Sequence, residues 1–255
     1  MILNAIELGE GRPLILLHGL FGQARNFGAL QRRLAAGGRR VVAFDLPNHG
    51  ASPHAAAVDY CFMAAAVVES LDARGIARAD VMGHSMGGKA AMMLALTAPE
   101  HVARLVISDV APYAYPPRWT ELVAAMRAVP PGTARAEADA LLAPAEPDAG
   151  VRAFILTNRK PDASGWRIGL EGIGASMPAI LGWSSPEEAR FEGPVLFVAG
   201  EHSTYIRPEN RPVIRDLFPA ARFVTVKGAG HWVHADQPEG FAAVLEGFLP
   251  SGEPL

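Results

Sequence analysis

Ser85 stands between two glycines, each two positions away, in Gly83-His84-Ser85-Met86-Gly87. A short apolar run precedes it, and the Ala/Met-rich MGGKAAMMLALTAPE, which reads as a helix, follows. A serine so placed at a strand-to-helix junction has the pattern of a nucleophile elbow. The chemistry it suits is acyl transfer, in which the hydroxyl attacks a carbonyl once a base takes its proton. The glycines have a steric reason. A turn tight enough to lift the hydroxyl over a sheet strains the backbone at Ser85 and presses its neighbours against adjacent elements, where a Cβ does not fit easily. The helix that follows aims its N-terminal amides at any anion formed beside the serine.

The base must come from a later loop. His231, in GAGHWVHADQPE just after the last apolar run, is the candidate. His234 lies three residues on, where a helix is expected to begin, and is read as structural. A carboxylate should orient His231, and the chain order Ser, acid, His places it between 86 and 230. The usual location is the loop after the penultimate strand, here VLFVAGEHSTYIRPE, but Ser203 occupies the expected position. Two substitutes exist. Asp109 ends the run LVISD, one strand beyond the elbow, and is preferred; Glu201 is the second choice. Ser203 is expected to donate a hydrogen bond nearby. Oxyanion stabilisation needs two backbone N–H groups. They are expected from Met86 and from Leu20 in the loop after His18-Gly19, with Phe21 close behind. His18 is read as bracing that loop.

Two decoys share these residues. Gly83 to Lys89 matches all of the phosphate-binding pattern G-x-x-x-x-G-K-[ST] except its last position, where Ala90 supplies no magnesium-binding hydroxyl. His231-x-x-His234-x-Asp236 resembles a metal motif, but its histidines lack the i, i+4 spacing of a zinc protease helix, so no metal and no cofactor are expected.

Strand-like runs fall at residues 2–8, 13–17, 41–45, 79–82, 105–108, 195–198 and 223–226, and helical patterns at 27–34 and 59–74. The alternation predicts an α/β fold with a doubly wound, mostly parallel sheet of about seven strands. The interval 111–189 breaks it. It is rich in proline, has no convincing strand and is too long for a plain crossover, so it is expected to be a helical cap inserted in a core of residues 1–110 and 190–255. The final SGEPL is expected to be a frayed tail.

The 255 residues suffice for one α/β domain, and a net charge of −3 gives no reason to expect nucleic acid or an anionic membrane as partner. The single Cys61 lies in a helical pattern and is expected to be a buried structural thiol. The N-terminus lacks a basic n-region and no apolar run is long enough to span a bilayer, which suggests a cytoplasmic protein.

In combination, HGLFG, DLPNHGAS, GHSMGGK, ISDVAP and GAGHWVHAD resemble the α/β-hydrolase superfamily, and the YbfF-type esterases in particular. The likeness covers roughly 13–110 and 193–248. It implies an acid after the earlier strand, matched by Asp109, and a serine joining the catalytic cluster, matched by Ser203. Asp45, Asn48 and His49 are read as loop-bracing, and Lys89 as structural, exposed or hydrogen-bonded in the first helical turn. The implied reaction is cofactor-free hydrolysis of carboxylic esters or thioesters of small, largely apolar acyl substrates, with Phe21 and Trp232 at the cleft. The same triad could serve perhydrolysis or carbon–carbon bond hydrolysis. Outside that chemistry stand a nucleotide-binding P-loop protein and a non-catalytic ligand receptor.

Overall fold

The structure is a computed structural model and describes residues 1–117 and 119–250; the tail expected over 251–255 lies outside them. Seven strands form one sheet: β1 (Ala5–Leu8), β2 (Arg12–Leu17), β3 (Arg39–Phe44), β4 (Ala79–His84), β5 (Val102–Ser108), β6 (Val195–Gly200) and β7 (Ala221–Val226). Their order is β1-β3-β2-β4-β5-β6-β7, and every pairing is parallel except β1 against β3. The chain winds outward from β2 to β3, then returns past β2 to β4 and continues the other way. In such a sheet the crevice at the carboxyl ends, where the winding reverses, is where ligands bind.

Alternate side chains feed the two faces. Ile15, Leu17, Val42, Phe44, Val81, Leu105, Ile107 and Phe197 pack on one side against α2 (Tyr60–Asp72) and α3 (Met86–Thr97). Leu14, Leu16, Val41, Ala43, Met82, Val106 and Leu196 pack on the other, against α1 (Gly28–Ala36) and α10 (Pro238–Phe248). Each such fully buried aliphatic side chain contributes about 1.5–3 kcal/mol, so the two apolar layers hold the strands together and with them their carboxyl ends along one edge.

Between β5 and β6 lie, among the described residues, four α-helices: α4 (Thr120–Ala128), α5 (Arg135–Leu142), α6 (Ala149–Ile155) and α7 (Leu170–Leu181). They share a separate apolar cluster built on Leu122, Met126, Ile155, Ile173 and Met177, which also takes in Phe21 from the loop after β2. Only an isolated bridge, Arg159 to Trp166, interrupts this helical character among the described residues. After β6 come α8 (Arg211–Leu217) and, beyond β7, the short α9 (Val233–Asp236).

Cys61 is exposed rather than buried, which corrects the expectation. Helix α2 is apolar almost all round and its pattern does not say which face turns inward. The buried set is Tyr60, Met63, Ala64, Ala66 and Val67, which leaves Cys61 and Phe62 outside.

Candidate active site

The parallel register sets the site. Leu17 lies level with Gly83, and His84 with Ser108, so the loops after β2, β4 and β5 emerge side by side. Ser85 has φ 52° and ψ −119°, a strained left-handed conformation, immediately before α3. The glycines around it bear out the steric argument. A Cβ on Gly83 would stand 2.2 Å from Gly87 O, and one on Gly87 would stand 2.3 Å from Leu17 O.

His231 reaches the serine across 146 positions of sequence, with 3.0 Å between its Nε2 and Ser85 Oγ. On the other side its Nδ1 lies 2.7 Å from Asp109 Oδ2. A carboxylate only accepts, so Nδ1 carries the proton and Nε2 is free to accept from the serine hydroxyl. Asp109 is fully buried and itself left-handed, at φ 54°. Its carboxylate also accepts from the Gly200 N–H at 3.1 Å and from the Ser203 hydroxyl. Glu201 turns away and accepts from Gly228 N–H at 2.8 Å.

Two aromatic rings hold His231 from its sides. Tyr205 stacks on it with centroids 4.0 Å apart and planes 20° from parallel. His84 lies at 4.8 Å, and its Nε2–H donates to the His231 carbonyl at 2.9 Å. Burial, reinforced by the neighbouring histidines, lowers the His84 pKa well below the usual imidazole range, so it braces His231 as a neutral ring. His234 packs on Phe27 and His84, and burial lowers its pKa to about 4.

The loop after β2 is held by the residues expected to hold it. His18 donates from Nδ1 to Gly19 O at 2.8 Å and accepts at Nε2 from Leu46 N–H at 2.9 Å. Phe21, at φ 62°, gives its N–H to His49 Nε2 at 3.1 Å. That bond engages the Phe21 N–H within the loop. Asp45 gathers three groups, accepting from Ala24 N–H, Ala51 N–H and Asn4 Nδ2–H.

Ser85 sits where two cavities meet. The larger, about 250 Å³, is lined by Leu20, Met86, Val110, Trp119, Ile180 and tyrosines 60, 113, 115 and 205, with Lys89 and Arg207. The smaller, about 50 Å³, is lined by Phe21, Phe154, Trp232 and His231.

Lys89 is buried, 1% exposed, and not at the surface. Its ammonium donates to Leu181 O at 3.2 Å and Gly182 O at 2.7 Å, at the end of α7, and lies 4.8 Å from the Tyr115 ring centre. This removes the likeness to a phosphate-binding lysine, because the charge is turned to the helical segment. Sequence reading missed its burial although the signal was present: Met86 to Leu96 has no polar face, so a lysine within it must go inside.

Desolvation lowers the Lys89 pKa from 10.5 to about 7. Between those values the unfolded chain holds a proton that the folded chain has released, so stability rises with pH across the window and is lost as pH falls through about 7. Wild-type protein is expected to gain about 2 kcal/mol from pH 7 to pH 9 in urea unfolding, and Lys89→Met to lose that gain. Parallel pH trends in the two proteins would refute this account of Lys89.

The α/β-hydrolase fold family model matches residues 12–150. The chain is 40% identical to the sn-1-specific diacylglycerol lipase ABHD11 of Xenopus laevis, over 94% of this chain and 80% of that protein. It is 36% identical to esterase YbfF of Escherichia coli K12, over 93% of this chain and 92% of that one. A solved marine microorganism esterase superposes with a TM-score of 0.92 at 33% identity, covering 98% of this chain and 100% of that one. The α/β sheet, the loops gathered at its carboxyl edge and these likenesses agree: the chain belongs to the α/β-hydrolase family, within its YbfF-like esterase group.

Proposed function

We propose that this chain hydrolyses carboxylic ester and thioester bonds of small acyl substrates through a covalent acyl-enzyme on Ser85. Its esterase and lipase relatives make it a carboxylesterase-type hydrolase. The observation that carries the finer reading is the unbroken chain from Ser85 Oγ to His231 at 3.0 Å and from His231 to Asp109 at 2.7 Å. His231 Nε2 takes the serine proton as Oγ attacks the carbonyl carbon, and Asp109 stabilises the imidazolium that results. The backbone N–H groups of Leu20 and Met86 receive the oxyanion. His231 then returns the proton to the departing alcohol or thiol, and the acyl group stays on Ser85. A water molecule, deprotonated by His231, releases the acid and restores the serine.

Ser203 supports Asp109 as an accessory donor, and Phe21 and Trp232 contribute walls on the His231 side. The helices within 111–189 act as a cap that closes the acyl cavity. No step requires a metal or an organic cofactor.

The direct test is labelling with a fluorophosphonate probe followed by peptide mass analysis. The adduct is expected on the peptide containing Ser85, with matched oxygen and sulfur esters both turned over. An unlabelled protein that still hydrolyses esters would remove the acyl-enzyme from the mechanism.

A further inference from the structure

Asn158 ends the single turn Leu156–Asn158 that follows α6, and it is 1% exposed. Its side chain reaches back to the loop after β2. Nδ2 donates to Phe21 O at 2.7 Å and to Ile155 O at 3.2 Å. Turned over, the amide would set its oxygen against two carbonyls, so its orientation is fixed. Asn158 Oδ1 is buried without a partner among the described residues. An unsatisfied buried acceptor is a cost, and the donor on Phe21 is what the position gains in return.

Phe21 is where such a donor matters. Gly22 N–H donates to Gly19 O at 2.9 Å and closes a turn with Leu20 and Phe21 at its centre. Phe21 has φ 62° at the third position, where a turn of this kind ordinarily takes glycine or asparagine. A bulky residue stays in such a conformation only when its surroundings over-determine the backbone. His49 Nε2 accepts the Phe21 N–H at 3.1 Å, and His49 is fixed in turn by donating from Nδ1 to Pro47 O at 2.9 Å. Asn158 takes the carbonyl, and the ring lies edge-on to Trp119 with centroids 6.0 Å apart. Relaxation of Phe21 to negative φ turns over the peptide that joins it to Leu20. Leu20 lines both cavities beside Ser85.

We propose that Asn158 is a positioning residue: by donating to the Phe21 carbonyl it holds the turn that presents the Leu20 N–H to the oxyanion. The helices between β5 and β6 then help to build the oxyanion site and do more than roof it. The inference rests on the acyl-enzyme reading above, with Leu20 and Met86 as the two donors. Met86 needs no such aid, since it opens α3 on the floor fixed by Gly83 and Gly87.

The test removes the donor and keeps the volume. Asn158→Leu is nearly isosteric and leaves Phe21 O without this partner; Asn158→Ala is the second variant, and a thermal melt selects the one that folds. With a short-chain nitrophenyl ester, kcat is expected to fall about 10- to 100-fold, part of the roughly 10²–10³ that a lost oxyanion donor costs. Acylation and deacylation both pass through an oxyanion, so KM should stay within about twofold. Inhibition by a trifluoromethyl ketone, whose adduct on Ser85 carries the same oxyanion, should weaken by the same factor as kcat/KM. The pH midpoint of kcat/KM should not move, because Ser85, His231 and Asp109 are untouched. Arg25→Gln breaks the other tie of this turn to the loop, the exposed bond from Arg25 Nη2 to Thr157 O at 3.2 Å. It is expected to leave kcat within about twofold.

A folded variant with parental kcat would overturn the inference and leave the hydrolase reading intact. A loss carried by KM alone would make Asn158 a piece of the cleft wall and sink it as well. Unchanged ketone inhibition beside a fallen kcat would break the link to the oxyanion, and a shifted pH midpoint would move the damage to the triad. An equal loss in Arg25→Gln would trace the effect to the seating of the helices and away from the Phe21 carbonyl. If the wild-type protein neither hydrolyses the ester nor binds the ketone, the hydrolase reading falls and takes this inference with it.

Discussion

Alanine at position 85 is expected to lower kcat for ester hydrolysis by about 10⁶-fold, the loss seen when a triad serine is removed alone. The size follows from what the hydroxyl does. It is the atom that bonds to the acyl carbon, and no neighbouring group can take its place. His231 Nε2 faces it at 3.0 Å, and the left-handed backbone at φ 52° points it over the strand ends. Alanine keeps that backbone and fits the space, so the variant should fold and still bind ester. Steady-state kinetics beside a thermal melt separate lost chemistry from lost structure. A folded Ser85→Ala protein with parental kcat would end the nucleophile assignment.

The second large effect is at Asp109. Asparagine there is expected to cost about 10⁴-fold in kcat, the scale of a triad aspartate replaced by its amide. The carboxylate accepts from three donors: His231 Nδ1–H, the Ser203 hydroxyl and the Gly200 N–H. An amide has one acceptor oxygen. If its NH₂ turns to His231, the ring must carry its proton on Nε2, the wrong nitrogen to receive one from Ser85. If its oxygen turns there, an N–H faces another N–H or the hydroxyl in a buried place. Glu201→Gln is expected to change kcat only within a few-fold, because Glu201 holds Gly228 rather than His231. A larger loss at Glu201 than at Asp109 would reverse the choice of acid.

Much of this was legible in the sequence because the fold places its chemistry at strand ends. The apolar runs bounded by glycine and proline marked all seven strands, though the edges differ: β1 begins at Ala5 rather than residue 2, and β5 at Val102 rather than 105. The elbow was legible because its glycines are demanded by atoms 2.2 to 2.3 Å away, a constraint that leaves few other residues possible. The choice between Asp109 and Glu201 was harder. Each directly follows a strand end, Asp109 after Ser108 and Glu201 after Gly200, and what sends the Asp109 carboxylate inward is its left-handed backbone, which the sequence does not spell out. Tyr205 and His84 as supports for His231 were not read at all, since ring stacking across β4, β6 and β7 leaves no spacing signature in a single chain. Cys61 was misplaced for a related reason, and Lys89, read as exposed or hydrogen-bonded, proved to be the second. In helices as apolar as α2 and α3, periodicity no longer distinguishes inside from outside, and the sheet decides which face it covers.

The crowding at the elbow divides the molecule into parts with different latitude. Gly83, Gly87 and Gly88 each abut atoms that a methyl group would strike, two of them main-chain atoms that cannot step aside. Reshaping the cavities is therefore closed off from below and open from above, through α6 and α7, whose Phe154, Ile155, Ile180 and Leu181 line them without carrying the turn. A designer who wants a different diet for this scaffold should graft helices onto it and leave the floor alone.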